Sequence, residues 1–432
     1  MRYDDARAYL ATLTDYERTA PRRYDTTTFD LARFAGLLAR LGTPQGAYPI
    51  VHVAGTKGKG SACAMLAAAF AAAGRRPGVF TSPHLRSPRE RVAVGGEPIS
   101  PAAFGRWVGE VRDTTSGAAT PVFRTYFETV LAAALLHFRE ERVDVAVLET
   151  GLGGRLDATN VVVPAVAALT TVELDHVDVL GATLEAIATE KAGVMKRGVP
   201  AVTAPQDAAV LRVFRDAAAR AGAPLAVAGE DYRFAARPGD GGFDFAGVRY
   251  ELAAVRPAMR GPAQIINGAV ALATLERFRP FDIPAAAARA GVETGVARAR
   301  LELFAGAPAV LVDTAHTAAS AAALAAVIRE LGHDDAVLVW GMSADKDVDA
   351  FARALAPVTA VAIATAAATP RARAAAELAA AATVFRRQEV CPSTAAALAR
   401  ARALAGPSGL VVVAGSFYVA GEALVALEGT VA

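Results

Sequence analysis

The chain has 432 residues, 53% of them hydrophobic, which is enough for more than one apolar core. Its 45 Lys and Arg residues nearly balance 43 Asp and Glu residues, so composition favours neither a nucleic acid nor an anionic membrane surface as the partner. Two cysteines, Cys63 and Cys391, form no disulfide framework, and the lack of a secretory pattern or of an apolar run of roughly 20 residues predicts a cytoplasmic protein.

Short apolar strands alternate with helical patterns in the first part of the chain. Strands are predicted at 48–53, 78–81, 143–148 and 165–172. Helices are predicted at 61–73, 126–140, 264–278 and 284–291. This alternation is typical of a parallel sheet with helices on both faces. Residues 228–257, rich in Gly, Asp and aromatic residues, indicate a small antiparallel excursion.

A second alternating series begins near residue 300. Its strands are predicted at 309–313, 336–340, 360–365 and 410–414, with helices at 318–331 and 394–404. The pattern indicates a smaller Rossmann-like sheet. We therefore expect two α/β domains, 1–295 and 296–432.

The clearest local motif is the glycine-rich turn 55–61, with the sequence GTKGKGS, which joins a predicted strand to a predicted helix. Glycines let the backbone N–H groups surround one anion, and the helix N-terminus adds partial positive charge. Lys59 can reach the outer phosphates of a nucleotide, and the Ser61 hydroxyl can bind Mg²⁺. The alternative is a turn without a ligand. Gly60 separates Lys59 from Ser61, whereas in the common P-loop the hydroxyl residue directly follows the lysine. This spacing disfavours a simple phosphotransferase.

Two polar residues follow predicted strands. Glu149 ends the strand 143–148, where α/β proteins bind ligands, and its carboxylate suits Mg²⁺. Spacing alone leaves a solvated strand-end glutamate equally open. His176 follows the strand 165–172, and a lone histidine is more often structural than a metal ligand.

Longer motifs resemble a known family. They lie at 55–61, 81–85 (TSPHL), 90–92 (ERV), 127–128, 149–160 (ETGLGGRLDATN), 174–176 (LDH), 190–193 (EKAG), 300–302 (RLE), 345–347 (DKD) and 415–418 (GSFY). In this order, over nearly the whole chain, they resemble folylpolyglutamate synthase/dihydrofolate synthase, a branch of the Mur ligases. The run 151–160 is the most specific of them.

The resemblance implies a fold and a reaction. The fold is an N-terminal P-loop-type Mur ligase ATPase domain with a parallel central sheet, followed by a smaller Rossmann-like α/β domain. ATP would phosphorylate a carboxylate of dihydropteroate or folate, and the amine of L-glutamate would displace phosphate from the acyl phosphate. ATP, Mg²⁺ at two sites and a monomer without nucleic-acid or membrane partners are expected.

The resemblance also implies roles for single residues. ATP contacts are implied for Gly55, Thr56, Gly58, Lys59, Gly60, Ser61, Ala62, Asn267, Arg300 and Asp313. Metal ligands are implied at Ser61, Ser82, Glu149 and His176. Catalytic roles are implied for Lys59, for a carbamylated Lys191 and for His316. Substrate contacts are implied for Phe127, Glu128, Leu156, Asp157, Ala158 and Ser416.

Some positions depart from the family pattern. Lys57 stands where the family usually has Asn, Arg298-Ala299 replaces a Pro-Gly pair, and Thr317 replaces an Asn. These departures leave open a Mur-type ligase for a different carboxylate and amino acid. A nucleotide-binding protein that has lost ligase activity is a third hypothesis.

Overall fold

The computed structural model describes residues 1–17, 19, 24–116 and 124–429. The chain divides into two compact units. The first comprises Met1–Pro83, Pro88–Ala258 and Ala263–Val296, and the second comprises His84–Ser87, Met259–Pro262 and Ala297–Ala432. Among the described residues, no helix combines the length and hydropathy that a bilayer span requires.

An eight-stranded sheet forms the centre of the first unit. Its strands are β1 (Ile50–Ala54), β2 (Pro77–Phe80), β3 (Val92–Val94), β4 (Glu97–Pro98), β5 (Val145–Glu149), β6 (Val166–Leu169), β7 (Ala201–Thr203) and β8 (Leu225–Val227). Their order is β4-β3-β2-β5-β1-β6-β7-β8, in which β3 pairs antiparallel with both β2 and β4 and every other neighbouring pair is parallel. Every residue of β1 and β5 is buried, as expected for strands covered on both faces. The four predicted strands are confirmed as β1, β2, β5 and β6.

The helices of the first unit pack around this sheet. They are α1 (Tyr3–Ala11), α2 (Leu31–Arg40), α3 (Lys59–Ala72), α4 (Pro101–Ser116), α5 (Tyr126–Glu140), α6 (Val177–Leu180), α7 (Leu184–Ala192), α8 (Ala208–Ala221), α9 (Ala263–Arg277) and α10 (Ala285–Thr294). Helix α3 contacts β5, α5 contacts β2, and α9 contacts β6. The predicted helices are confirmed as α3, α5, α9 and α10.

A separate three-stranded sheet follows α8. Its strands are β9 (Arg233–Ala236), β10 (Phe243–Ala246) and β11 (Glu251–Val255), all antiparallel. This sheet confirms the predicted antiparallel excursion. The buried carboxylate of Glu276 on α9 accepts backbone hydrogen bonds from Arg249 and Tyr250, both of 2.7 Å, and so fixes the β10–β11 turn.

The second unit contains a six-stranded sheet. Its strands are β12 (Glu302–Phe304), β13 (Ala309–Val312), β14 (Ala336–Trp340), β15 (Thr359–Ala364), β16 (Gln388–Val390) and β17 (Leu410–Ala414). Its helices are α11 (Ala318–Glu330), α12 (Val348–Leu355), α13 (Ala375–Ala381), α14 (Thr394–Ala405) and α15 (Phe417–Glu428). The order is β12-β13-β17-β14-β15-β16, and only the β12 pairing is antiparallel. The predicted Rossmann-like α/β arrangement is confirmed.

Two short segments from earlier in the chain complete the second unit. A Cβ atom placed on Gly421 of α15 would lie 2.0 Å from the carbonyl oxygen of Leu85, so glycine permits this close approach. Arg86 also forms an ion pair of 2.8 Å with Glu428. In the other segment, a Cβ on Gly261 would lie 2.7 Å from the side chain of Leu301. The second unit is therefore built from three separate stretches of sequence.

Candidate active site

The predicted phosphate loop leaves β1 at Ala54 and enters α3 at Lys59. Two of its glycines have positive φ, +149° at Gly55 and +90° at Gly58. A Cβ on Gly55 would lie 1.9 Å from Thr170 Oγ1, and a Cβ on Gly58 would lie 2.1 Å from Asn267 Oδ1. Both positions therefore require glycine on conformational and steric grounds. The structure thus places Asn267, a predicted ATP contact on α9, against this loop.

The first turn of α3 presents backbone N–H groups and a lysine. The N-cap residue of this helix is Gly58, which has no side chain to cap it, and Ser61 lies in the first turn with 2% of its surface exposed. Ala62 is fully buried, and its amide bonds to Gly58 O at 2.9 Å. Lys59 Nζ lies 3.2 Å from Gly55 O. Unpaired helix N–H groups beside a lysine suit an anion such as phosphate.

Two predicted metal ligands, Ser61 and Ser82, lie near the carboxylate of a third, Glu149. Glu149 ends β5, and its Oε2 atom accepts a hydrogen bond of 3.2 Å from the amide of Ser82. A Cβ on Gly60 would lie 3.7 Å from the same oxygen, so the carboxylate faces the first turn of α3, where Ser61 lies. Carboxylate and hydroxyl oxygens are the ligands that Mg²⁺ prefers. These residues therefore fit a divalent cation beside the phosphate loop.

A cavity that is open to solvent connects the loop with further predicted residues. It is lined by Gly55, Thr56, Lys59, Gly151, Leu152, Gly153, Asp175, His176, Leu180 and Lys191. His176 immediately precedes α6 with a left-handed backbone, φ +52°, and its amide donates to Asp175 Oδ1 at 3.0 Å. Lys59, His176 and Lys191 therefore share one cavity.

Lys191 is buried on α7 with 4% of its surface exposed. Its Nζ atom donates a hydrogen bond of 2.8 Å to Gly55 O. Burial lowers the pKa of the Lys191 side chain well below its usual range, and the positive charge of Lys59 lowers it further. Both effects favour the neutral amine, which is the form that reacts with CO₂.

Glycines hold the 151–155 loop tightly against the end of α7. A Cβ on Gly154 would lie 2.8 Å from Glu190 O, and a Cβ on Gly193 would lie 2.4 Å from Arg155 Cα. Arg155 and Glu190 also form a two-point ion pair, with bonds of 3.0 and 2.9 Å. This close packing fixes the segment that carries Lys191, and it explains the glycine-rich character of the motif.

The two carboxylates predicted to contact substrate are occupied by bonds within the chain. Asp157 Oδ2 accepts hydrogen bonds of 2.9 Å from the amides of Gly151 and Leu152, and Oδ1 accepts from the amide and the hydroxyl of Thr159. Glu128 caps α5 through Thr125 and forms an ion pair of 3.1 Å with Arg33. In this geometry both carboxylates stabilise the local backbone through bonds within the chain.

The apolar residues predicted to contact substrate surround the same loop. A Cβ on Gly151 would lie 2.6 Å from the Phe127 ring, and Phe127 also meets Phe80 edge to face at 5.5 Å between ring centroids. Leu156 and Ala158 are buried. Of these three side chains, Phe127 keeps the most exposed surface, so it is the one best placed for direct contact.

Sequence reasoning missed a buried histidine behind this loop. His52 Nε2 lies 2.8 Å from Thr159 Oγ1, which in turn donates to Asp157. Burial lowers the pKa of His52 to about 3. The polar residue at 52 within an otherwise apolar strand was the available signal. Tyr24, whose hydroxyl donates to Leu152 O at 3.2 Å, was also missed.

In the second unit, two predicted residues surround the Phe417 ring. Arg300 Cζ lies 4.8 Å from its centroid, and the Arg300 guanidinium donates to the hydroxyl of Thr314. The His316 ring centroid is 6.3 Å from that of Phe417, and His316 Nδ1 lies 2.8 Å from Thr314 O. His316 follows β13 and Phe417 follows β17, whose carboxyl ends meet at one edge of the sheet, and Arg300 precedes β12, which runs antiparallel to β13.

Asp313 and Ser416 lie at the same edge, and their side chains accept hydrogen bonds from backbone amides. Asp313 accepts hydrogen bonds of 2.8 Å from the Leu301 amide and 2.7 Å from the Ala315 amide. Ser416 caps α15, because its hydroxyl oxygen accepts a hydrogen bond of 3.1 Å from Val419 N. The structure brings Arg300, Asp313, His316 and Ser416 together within this unit.

Comparisons with known proteins agree with this architecture. The Mur ligase middle domain matches residues 53–275, and the Mur ligase glutamate ligase domain matches residues 299–417. The dihydrofolate synthase/folylpolyglutamate synthase of Mycobacterium tuberculosis is 37% identical over 377 residues, which cover 81% of this chain and 77% of that protein.

Solved structures show the same similarity over the whole chain. Escherichia coli FolC in complex with DHPP and ADP is 30% identical with a TM-score of 0.87, and the match covers 99% of this chain and 98% of that one. The bifunctional folylpolyglutamate synthase/dihydrofolate synthase of Yersinia pestis, complexed with AMPPNP and Mn ion, is 30% identical with a TM-score of 0.85 and the same coverage.

Proposed function

Because the chain belongs to the dihydrofolate synthase/folylpolyglutamate synthase family of Mur ligases, we propose that it joins L-glutamate to dihydropteroate, to a folate polyglutamate, or to both. The chain is a C–N bond-forming ligase that uses ATP. The observation that carries the assignment of the site is the single cavity that Lys59, His176 and Lys191 share with the phosphate loop.

The reaction proceeds in two transfers. A carboxylate oxygen of the acceptor attacks the γ-phosphorus of ATP, and the bond to the β–γ bridging oxygen breaks to release ADP. The amine of glutamate then attacks the carbonyl carbon of the acyl phosphate. The C–O bond to phosphate breaks, and the amine gives up a proton as the amide forms.

Residues of the first unit act on the transferred phosphoryl group. The N–H groups at the start of α3 and the Lys59 ammonium stabilise negative charge on the phosphates, which is where charge builds up during transfer. Ser61, Ser82, Glu149 and His176 would hold Mg²⁺ at two sites. When bound, the cation offsets the charge of the triphosphate.

Lys191 would carry a carbamate. The neutral amine adds to CO₂ and releases a proton, so that a buried neutral group becomes an anion with two oxygen atoms. What supports this role is the burial of Lys191 in the same cavity as Lys59 and His176, together with its lowered pKa. The carbamate oxygens would add to the oxygen ligands near the cation.

Acceptor and glutamate sites follow from the remaining residues. Phe127, with Leu156 and Ala158, would contact the pterin or pteroate group, while Asp157 and Glu128 hold the surrounding backbone. In the second unit, Arg300 and Asp313 would contact ATP, and His316 and Ser416 would lie near the incoming glutamate. A monomer is proposed as the working form.

One assay separates the acceptors. Phosphate release from ATP, measured with Mg²⁺ and L-glutamate, is compared for dihydropteroate, tetrahydrofolate and no acceptor. Stimulation by dihydropteroate alone indicates a dihydrofolate synthase, and stimulation by both indicates two activities. If neither acceptor stimulates release, the folate assignment fails in favour of a Mur-type ligase for another carboxylate.

A further inference from the structure

Lys57 forms an ion pair across two loops of the cavity. Its Nζ atom lies 2.9 Å from Asp175 Oδ2, with 27% of the Lys57 side chain and 9% of the Asp175 side chain exposed. Lys57 belongs to the phosphate loop, whereas Asp175 belongs to the segment between β6 and α6.

Other bonds join the same two segments. The amides of Thr56 and Lys57 both donate to Thr171 O, at 2.9 and 3.2 Å, and the Thr56 hydroxyl donates to Glu173 O at 3.2 Å. The ion pair extends this set of contacts as far as Asp175. The phosphate loop and the segment 171–175 are therefore fixed to each other by backbone bonds at one end and by charge at the other.

Asp175 passes this restraint to His176. While Oδ2 pairs with Lys57, Oδ1 accepts a hydrogen bond of 3.0 Å from the His176 amide. His176 has a left-handed backbone with φ +52°, a conformation that is unfavourable for a non-glycine residue. Such a conformation persists only where neighbouring groups hold it.

The charge of Asp175 also needs a partner. Asp175 lines the cavity beside His176 and Lys59, which is where the phosphates and the cation would bind. A largely buried carboxylate without its cation would repel phosphate and could turn towards a divalent ion. Pairing with Lys57 fixes its direction.

We propose that Lys57 is a positioning residue of the metal site, which holds Asp175 and, through Asp175, the backbone of His176. This inference rests on the proposed function, because it assigns Lys57 to the support of a predicted metal ligand. It predicts that the loss of Lys57 weakens cation binding more than nucleotide binding.

The test measures Mn²⁺ binding to the full chain with AMPPNP, using electron paramagnetic resonance of free Mn²⁺. Lys57→Met is expected to weaken Mn²⁺ binding about tenfold, as loss of a supporting residue does at other metal sites. Lys57→Arg, which keeps the charge, is expected to restore most of the affinity. Arg237→Met breaks the exposed Arg237–Asp244 pair of 3.0 Å and serves as the matched control without effect.

A double-mutant cycle decides whether Lys57 acts through Asp175. The proposal expects Lys57→Met/Asp175→Asn to bind Mn²⁺ no more weakly than Asp175→Asn alone, and this variant has no unpaired charge that could unfold it. The proposal is overturned if the losses of Mn²⁺ affinity caused by Lys57→Met and Asp175→Asn add in full in the double variant. It is also overturned if Lys57→Met weakens AMPPNP binding measured without metal. If the wild-type chain binds neither AMPPNP nor Mn²⁺, the proposed function itself is wrong.

Discussion

The side-chain nitrogen of Lys191 donates a hydrogen bond of 2.8 Å to the carbonyl oxygen of Gly55 and so joins α7 to the phosphate loop. Replacement by Met keeps much of the buried volume but removes the nitrogen. We expect Lys191→Met to lower kcat about 100-fold or more, since a polar group in the reacting cavity is lost. Steady-state kinetics measure kcat, and thermal unfolding shows whether the variant is folded.

Carbamylation is tested separately on the wild-type chain. Removal of CO₂ and bicarbonate is expected to lower activity, and their return should restore it, whereas the residual activity of Lys191→Met should not respond. A carbonyl signal from ¹³CO₂ that is present in the wild type and absent in the variant would support the modification. Activity independent of CO₂ would contradict it.

Lys59 is expected to act on the phosphates directly. Lys59→Ala should lower kcat by about 10²–10³-fold, because one positive charge at the transferred group is removed. Lys196→Ala is the control, since Lys196 bonds to Asn160 O at 3.1 Å outside the cavity lining. Equal losses in both variants would show that Lys59 has no special role.

Gly58 and Gly74 form a matched pair for the phosphate loop. Both have positive φ, +90° and +72°, but a Cβ on Gly58 meets Asn267 Oδ1 at 2.1 Å, whereas a Cβ on Gly74 has no described atom within 4 Å. Gly74→Ala should cost about 1–2 kcal/mol of unfolding free energy. Gly58→Ala should cost more and should also weaken AMPPNP binding, as measured by calorimetry. Similar AMPPNP affinities in the two variants would contradict the role of Gly58 in nucleotide binding.

His52 is expected to make the fold sensitive to acid. Burial lowers its pKa to about 3 in the folded chain, while the unfolded value is about 6.5. Between these values the unfolded chain binds a proton that the folded chain does not. The unfolding free energy therefore falls as pH drops below about 6.5, by up to about 1.4 kcal/mol per pH unit.

The variant His52→Gln removes this titration. Urea unfolding at pH 7, 6 and 5 should show a smaller loss of stability on acidification in His52→Gln than in the wild type, whatever its stability at pH 7. Parallel pH dependences in the two proteins would show that His52 has the same pKa in the folded and unfolded chains.

Asp157 is expected to stabilise the loop that contains Gly151 and Leu152. Asp157→Asn leaves one oxygen where two accepted hydrogen bonds, which should cost about 1–3 kcal/mol of unfolding free energy. KM for the acceptor should rise as the loop loosens. A rise in KM with unchanged stability would instead support direct contact between Asp157 and the substrate.

The repeating elements of both sheets could be predicted because each strand carries its own signal. Residues 50–54 and 410–414 are short, largely apolar runs bounded by glycine or proline, and both are strands. Strands β7 and β8 were missed, because three residues carry too little pattern and pairing with a neighbouring strand decides their structure. The glycine-rich turn was predictable because its positive φ angles require glycine, and the glycines are visible in the sequence.

The partners of polar side chains could not be predicted in the same way. Glu128 pairs with Arg33, which lies 95 positions away in the chain, and this ion pair was not predicted. The burial of Lys191 depends on Gly154 and Gly193, which lie in different segments. The pairing of Lys57 with Asp175 joins residues 118 positions apart.

The three-part assembly of the second unit affects how it can be isolated. A polypeptide that starts at Ala297 lacks residues 84–87 and 259–262, so Gly421 would face a gap and Glu428 would lose its bond to Arg86. Exchange of this unit between homologous enzymes would have to carry both short inserts with it, because no single cut in the gene separates the two parts.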